Sequence, residues 1–197
     1  MGRPVKEKSL TQQDVINAAI ACLDQEGEAA LGVNRVAREL GIKPPAIYKH
    51  LDGNVALRRA VALTIWQQYI EWSRQQTNGL EDPHALLRAG GRATRNFARS
   101  HPNRYRVMTQ FQLNLNDQET APLIQEVFSF LKRLLQVYNL SETKLIDAMR
   151  MVNAAITGFI AIEQAGLMTL ERSTDASYEV MMDALVVAIQ HIQEVDS

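Results

Sequence analysis

One cysteine in 197 residues, Cys22, excludes an internal disulfide framework and a cysteine-rich zinc site. Its place on the apolar side of a helix reads as a small core residue. Long hydrophobic runs are also missing. The longest apolar stretches are interrupted by polar residues, so none resembles a membrane span. The opening Met1-Gly2-Arg3-Pro4-Val5-Lys6-Glu7-Lys8 lacks the apolar core of a signal peptide. The expectation is a cytoplasmic protein with no membrane partner. No alternating β pattern occurs, and Asp52-Gly53 sits between helical segments rather than β-branched runs. Internal repeats and low-complexity tracts are absent. So are nucleophile motifs, phosphate-binding glycine loops and aspartate-rich metal motifs. His50, His84, His101 and His191 are scattered without metal-ligand spacing. Glu81 and His84 stand three apart, but the pair does not recur on another helix as a carboxylate-bridged metal bundle requires; Glu81 reads as a helix-start residue. Neither catalysis, a metal nor a cofactor is expected.

What remains is a chain able to bury a core, with 46% hydrophobic residues. Its net charge of −1 argues against nucleic acid until its distribution is read. Residues 1–59 hold nine Lys/Arg against seven Asp/Glu, and residues 60–197 hold twelve against fifteen. Within the first part, Lys43, Lys49, Arg58 and Arg59 face Asp52 alone between Gly41 and Arg59. A local basic patch suffices to bind phosphates, whatever the whole-chain charge.

The most informative segment runs from Val33 to Leu51. Val33, Val36, Ala37 and Leu40 have helical spacing. Gly41 can end a helix with positive φ. Pro44-Pro45 suits a first helical turn, where proline's missing N–H has no partner to lose. Ala46, Ile47 and Tyr48 continue a second short helix whose polar side extends through Lys49 and His50. Two short helices about a glycine turn form a helix-turn-helix, which places its second helix in the DNA major groove. The Tyr48 ring has two readings, a half-buried packing residue or a group whose hydroxyl reaches phosphate.

The rest of the chain is helical by pattern. Thr11 and Asp14 resemble a capping box before a helix through Ile16, Ala19, Ile20 and Leu23. A long helix spans about 54–76 and another follows Asp82-Pro83 to about Ser100. One or two turns cover 104–110, a loop covers 113–119, and further helices span about 121–138, 142–165 and 175–195. In all, about nine helices are expected, divided into residues 1–53 and residues 54–197.

This layout resembles the tetracycline-repressor (TetR) family of transcription regulators, above all at Val36-Ala37, Leu40-Gly41-Ile42, Ile47-Tyr48 and Leu57. The run Val152-Asn153-Ala154-Ala155-Ile156-Thr157-Gly158-Phe159-Ile160-Ala161-Ile162-Glu163 is similar to the subgroup with a WHG-type C-terminal domain. The resemblance implies an all-α fold: a three-helix DNA-binding domain over 1–53 and a larger effector-binding and dimerisation domain over 54–197. It places Lys43, Pro44, Pro45 and Ala46 against base edges and adjacent phosphates, and Tyr48, Lys49 and His50 near phosphate. Arg3 and Lys6 would follow the backbone as an arm. Three departures stand out. Gly32 replaces a frequent Thr opening the second helix, Asn54 replaces a frequent Lys and can cap the fourth helix, and Leu51 replaces a frequent aromatic residue.

By the same resemblance the last two helices pair with a second copy, through the stripe Tyr178, Met181, Leu185, Ile189 and Ile192, although intrachain packing gives the same stripe. Arg150, Asn153, Thr157 and Gln164 lie along one side of the penultimate helix. They read as a solvated or helix-bridging stripe, or as part of an effector pocket in which Asn153 and Thr157 join Trp66, Tyr69, Phe97, His101, Tyr105, Met108 and Phe111. The implied function is a dimeric repressor released from a palindromic double-stranded DNA operator by a small-molecule effector. The alternatives are a ligand-independent architectural DNA-binding protein and a helical-bundle enzyme.

Overall fold

The computed structural model describes residues 9–80 and 82–194; Arg3, Lys6 and Glu81 lie outside the described residues. Among the described residues the chain is all-helical, without a strand. The helices are α1 (Gln12–Glu26), α2 (Val33–Glu39), α3 (Pro44–Ile47), α4 (Gly53–Thr77), α5 (Pro83–Ser100), α6 (Pro102–Gln110), α7 (Ala121–Leu135), α8 (Glu142–Gln164) and α9 (Thr174–Glu194). Single 3₁₀ turns at Glu28–Ala30 and Gln136–Tyr138 follow α1 and α7.

Local chemistry sets the first boundaries. At the start of α1 the Thr11 hydroxyl accepts from the Asp14 N–H at 3.1 Å, and the Asp14 carboxylate accepts from the Thr11 N–H at 2.9 Å. That reciprocal pair satisfies two amides that a helix start leaves open. Helix α2 ends in a Schellman turn: Gly41 stands at φ +65°, the Ile42 N–H donates to the Ala37 carbonyl, and the Gly41 N–H donates to the Arg38 carbonyl.

The packing divides into two compact units. The first reaches Trp66 and takes in His101–Gln112; the second holds Gln67–Ser100 and continues from Leu113. In the first, α1 packs against α2 and α2 against α3, and Val15, Ala19 and Leu23 of α1, Val33, Val36 and Ala37 of α2 and Ile47 of α3 are all buried. Helix α6 is stapled to the end of α1. The Asn103 amide donates to the Leu23 carbonyl at 3.0 Å, and Arg104 Nε donates to Asp24 Oδ1 at 2.9 Å.

In the second unit α7, α8 and α9 all pack against α5. Two adjacent glycines let them approach. A Cβ on Gly90 would meet Leu134 Cδ1 at 2.5 Å, and one on Gly91 would meet Met182 Cε at 2.6 Å. The Tyr178 hydroxyl donates to the Gly91 carbonyl at 2.7 Å, using the space a side chain would fill. An ionic cluster adds a second lock between α5, α8 and α9. Arg95, 6% exposed, donates from Nε to Glu163 at 3.0 Å and pairs through Nη1 with Asp175 at 3.0 Å. Arg99 reaches the same two carboxylates at 2.8 and 2.7 Å. The Arg95 guanidinium also lies over the Tyr178 and Phe159 rings, 4.6 and 5.2 Å from their centroids.

One expectation needs correction here. Helix α8 is long and apolar enough to cross a membrane, by length and a mean hydropathy of 1.5. Its Leu145, Ala148, Met149, Val152, Ile156 and Ile160 are nevertheless buried within the second unit. A helix apolar on its inner face and rich in alanine elsewhere passes the same composition test as a span.

Candidate DNA-reading surface and cavities

Helix α3 is a single turn with Lys43 as its N-cap residue and prolines at its first two positions. Below it the chain stays coiled, because the His50 and Leu51 N–H groups both donate to the Ile47 carbonyl. Ile47 is buried and anchors the turn. The opposite side is presented outward: Lys43, Pro45, Tyr48 and Lys49 are exposed, and Pro44, Ala46 and His50 are half-buried. Tyr48 is 55% exposed, with about half of its surface in solvent. No ion pair among the described residues engages Lys43 or Lys49. The nearby Arg35 is spent differently, since Glu26 and Glu39 both bind its guanidinium and hold its charge firmly in place.

Gly32, the N-cap of α2, offers no side-chain cap. The missing acceptor comes from twenty-one residues away, where Asn54 Oδ1 accepts from the Val33 N–H at 2.9 Å. Asn54 therefore caps α2, not the α4 start it was expected to cap. The substitution ties the helix-turn-helix to the first turn of α4.

Tyr69 and Asn153 line a cavity of about 40 Å³ in the second unit, beside Gly90, Gly91 and Thr94. The Tyr69 and Thr94 hydroxyls lie 2.9 Å apart, and burial raises the Tyr69 pKa. Thr157 stands one turn from Asn153, 3.5 Å oxygen to oxygen. Phe97 is buried, edge-on to Tyr69 and Trp72 at 5.4 and 6.2 Å. It is core rather than wall. Trp66, His101, Tyr105 and Met108 belong to the first unit, where Tyr105 and Met108 are buried. Burial lowers the His101 pKa, with Arg104 adding to the effect. Phe111 lines a separate cavity of about 330 Å³ with Leu31 and Val107. An aromatic stripe marks an inner face, and the sequence does not say into which of two units that face folds.

The interface stripe is corrected in the same way. Tyr178, Leu185 and Ile189 are buried inside the chain's own second unit, and Met181 and Ile192 are half-buried. The large apolar residues that α8 and α9 expose are Ile146, Ile162, Val180 and Val187. Among the described residues no group of three or more His, Cys, Asp or Glu could hold a metal.

Residues 15–61 match the family described as bacterial regulatory proteins, tetR family, and residues 87–185 match the tetracyclin repressor-like C-terminal domain. An uncharacterised HTH-type transcriptional regulator of Mycobacterium tuberculosis is 29% identical over 190 residues, covering 96% of this chain and 85% of the relative. Among solved structures, a protein of unknown function from Rhodococcus sp. RHA1 superimposes with a TM-score of 0.79 at 16% identity, over 95% of this chain and 98% of that one. A TetR variant from Acinetobacter baumannii AYE, crystallised with minocycline, gives 0.69 at 20% identity, over 94% and 99%. These two likenesses establish the fold alone.

Proposed function

This chain belongs to the tetR family of bacterial regulatory proteins, and from that premise we propose that it acts as a dimeric repressor released from a palindromic operator by a small-molecule effector. It is a DNA-binding transcriptional regulator and not an enzyme. The observation that carries the finer reading is the exposed edge Lys43-Pro45-Tyr48-Lys49, raised on a buried Ile47 inside the segment that matches the family's DNA-binding domain. Lysine and tyrosine contacts to phosphate set position and salt dependence, while Lys43 and Ala46 stand where base edges are read.

The reading assigns 1–53 to the DNA-binding domain and 54–197 to effector binding and dimerisation, in a cytoplasmic protein. Ile146 and Ile162 of α8 and Val180 and Val187 of α9 offer the apolar surface for a second copy. A two-fold dimer places half-sites about one DNA turn, roughly 34–36 Å, apart. The effector acts by preferring one of two dimer shapes, and α4 carries the change because its residues belong to both units. Tyr69, Thr94 and Asn153 mark the effector cavity. At about 40 Å³ it must open to admit a ligand, since drug-sized sites measure about 300–1,000 Å³.

The test is selection of bound sequences from random duplex DNA by the purified chain, followed by binding across salt concentrations. Enrichment of a palindrome supports the proposal. Salt-sensitive binding without an enriched site replaces it with an architectural role. Sedimentation as a monomer with undiminished operator affinity would refute the dimer.

A further inference from the structure

The larger cavity lies wholly within the first unit, since every residue lining it belongs there, and no assigned role explains it. Its volume of about 330 Å³ falls in the range of small-molecule sites, unlike the cavity at Tyr69. Leu31, Val55, Ala62, Val107 and Phe111 give it apolar walls, drawn from the segment before α2, from α4 and from the end of α6. The charged groups at its edge are already engaged. Arg58 donates to Glu28 at 3.0 Å, and the Arg59 guanidinium lies over the Phe111 ring, 5.9 Å from its centroid. The neutral polar group of the lining is the Gln110 carboxamide, exposed on the last residue of α6 and without a hydrogen bond among the described residues. A charged ligand would have to break one of those engagements or sit unpaired against apolar walls. An uncharged one disturbs neither and can use the amide.

We infer that this cavity binds an uncharged, largely apolar small molecule that carries one hydroxyl, carbonyl or N–H group for Gln110, and that its occupancy alters DNA affinity. The carboxamide both donates and accepts, so it serves any of those groups. Burial of the apolar body against Leu31, Val107 and Phe111 supplies most of the affinity. The link to DNA is short. Leu31 lines the cavity two residues before α2 begins, and Val55 lines it one residue after Asn54, whose Oδ1 accepts from the first N–H of α2. A ligand against Leu31 and Val55 thus touches the chain on both sides of the bond that caps α2. Binding itself stands independently of the repressor reading; its effect on DNA rests on it.

The experiment titrates the full chain with the uncharged fluorescent probe N-phenyl-1-naphthylamine, whose N–H can donate to Gln110 Oε1, and with the anionic 1-anilinonaphthalene-8-sulfonate. A single saturable site in each chain is expected, filled by the neutral probe at least as tightly as by the sulfonate. Gln110→Leu keeps the bulk and removes the amide. It should weaken the neutral probe about twofold to tenfold, the net worth of one neutral hydrogen bond. Phe111→Ala opens a half-buried wall and should weaken that probe by about tenfold. Gln110 is exposed, so its variant tests the site even where Phe111→Ala loses stability. A sulfonate preference of about tenfold or more would overturn the ligand class. Variants that bind the neutral probe like wild type while melting normally would overturn the site. So would a response to Asn153→Leu without one to Phe111→Ala, which moves the ligand to the second unit. On a selected operator, saturating neutral probe should change the wild-type affinity by about fivefold, the lower end of ordinary coupling between sites, and that of Phe111→Ala by less. Site-specific probe binding without any change in DNA affinity would overturn the coupling. Probe binding in a chain that binds no DNA would instead refute the repressor reading and leave the site standing.

Discussion

Replacing Glu163 by Gln keeps the shape of the side chain and removes its charge from the lock between α5, α8 and α9. In the native chain this carboxylate is only 15% exposed and receives Arg95, itself 6% exposed, together with Arg99. The hydrogen bonds from Arg95, then Arg99, hold its pKa down at about 2 from an ordinary 4.5. At about 1.4 kcal/mol per pKa unit, that depression corresponds to roughly 3 kcal/mol of folding free energy at neutral pH. Removing one partner of a buried pair costs about 3–5 kcal/mol where the remaining charge is stranded. Here Asp175 stays 3.0 Å from Arg95, and the Tyr178 and Phe159 rings still face the guanidinium. We therefore expect about 2–4 kcal/mol of destabilisation at pH 7.

Urea unfolding followed by circular dichroism reads this as a midpoint lowered by roughly 1–3 M, for slopes of about 1–3 kcal/mol per M. The pH dependence supplies the stricter check. The folded pKa lies below the unfolded one, so the native carboxylate stabilises fully above about pH 5 and loses its contribution as pH falls toward 2. Glutamine has no such titration. The gap between wild type and Glu163→Gln must therefore close over that window. A gap below about 1 kcal/mol at pH 7, or one that persists unchanged at low pH, would refute the assignment of the cluster as a net stabilising lock.

Four further outcomes follow from the geometry. Lys43→Ala and Lys49→Ala should weaken binding to every DNA sequence and lower the salt slope of the affinity by about 0.9 for each phosphate no longer neutralised; an unchanged slope would show that the lysine does not touch the DNA backbone. Asn54→Ala strips the cap from Val33 N and should cost about 0.5–2 kcal/mol in urea unfolding, with weaker operator binding. Gly91→Ala sets a Cβ 2.6 Å from Met182 Cε and should cost about 1–3 kcal/mol. Gly158→Ala, with nothing within 4 Å, should instead raise the melting temperature through a helix gain of up to about 1 kcal/mol.

Features whose cause is local were legible in the chain. Thr11 and Asp14 announce α1, Gly41 ends α2, and Pro44-Pro45 open α3, because each acts within a few residues of where it stands. Features whose cause is distant were not. Asn54 looks like a cap for its own helix, and only the fold shows that it serves Val33. Gly90-Gly91 gives no local sign that Leu134 and Met182 come against it. The α9 stripe illustrates a general ambiguity. Periodicity locates an apolar face without naming what covers it, and Tyr178, Leu185 and Ile189 are covered by their own chain. The same ambiguity scattered the effector residues over two units.

The helix-turn-helix is held by its surroundings rather than by itself. Helix α2 has seven residues and α3 four, far below the length at which isolated helices persist in water. Their position depends on burial of Val36, Ala37 and Ile47, on the cap from Asn54, and on Arg35 reaching back to Glu26 at the end of α1. Magnitudes then limit what surface contacts near it can do. The exposed Arg58–Glu28 pair is worth at most about 1 kcal/mol, no more than about fivefold in any affinity it influences. Turning a regulator from almost fully bound to almost fully released needs a difference of about 5.5 kcal/mol between the two shapes. Exposed ion pairs cannot supply that. It requires burying apolar surface in one shape only, at about 25 cal/mol per Å², or rearranging a dimer contact in which the same small change is made twice.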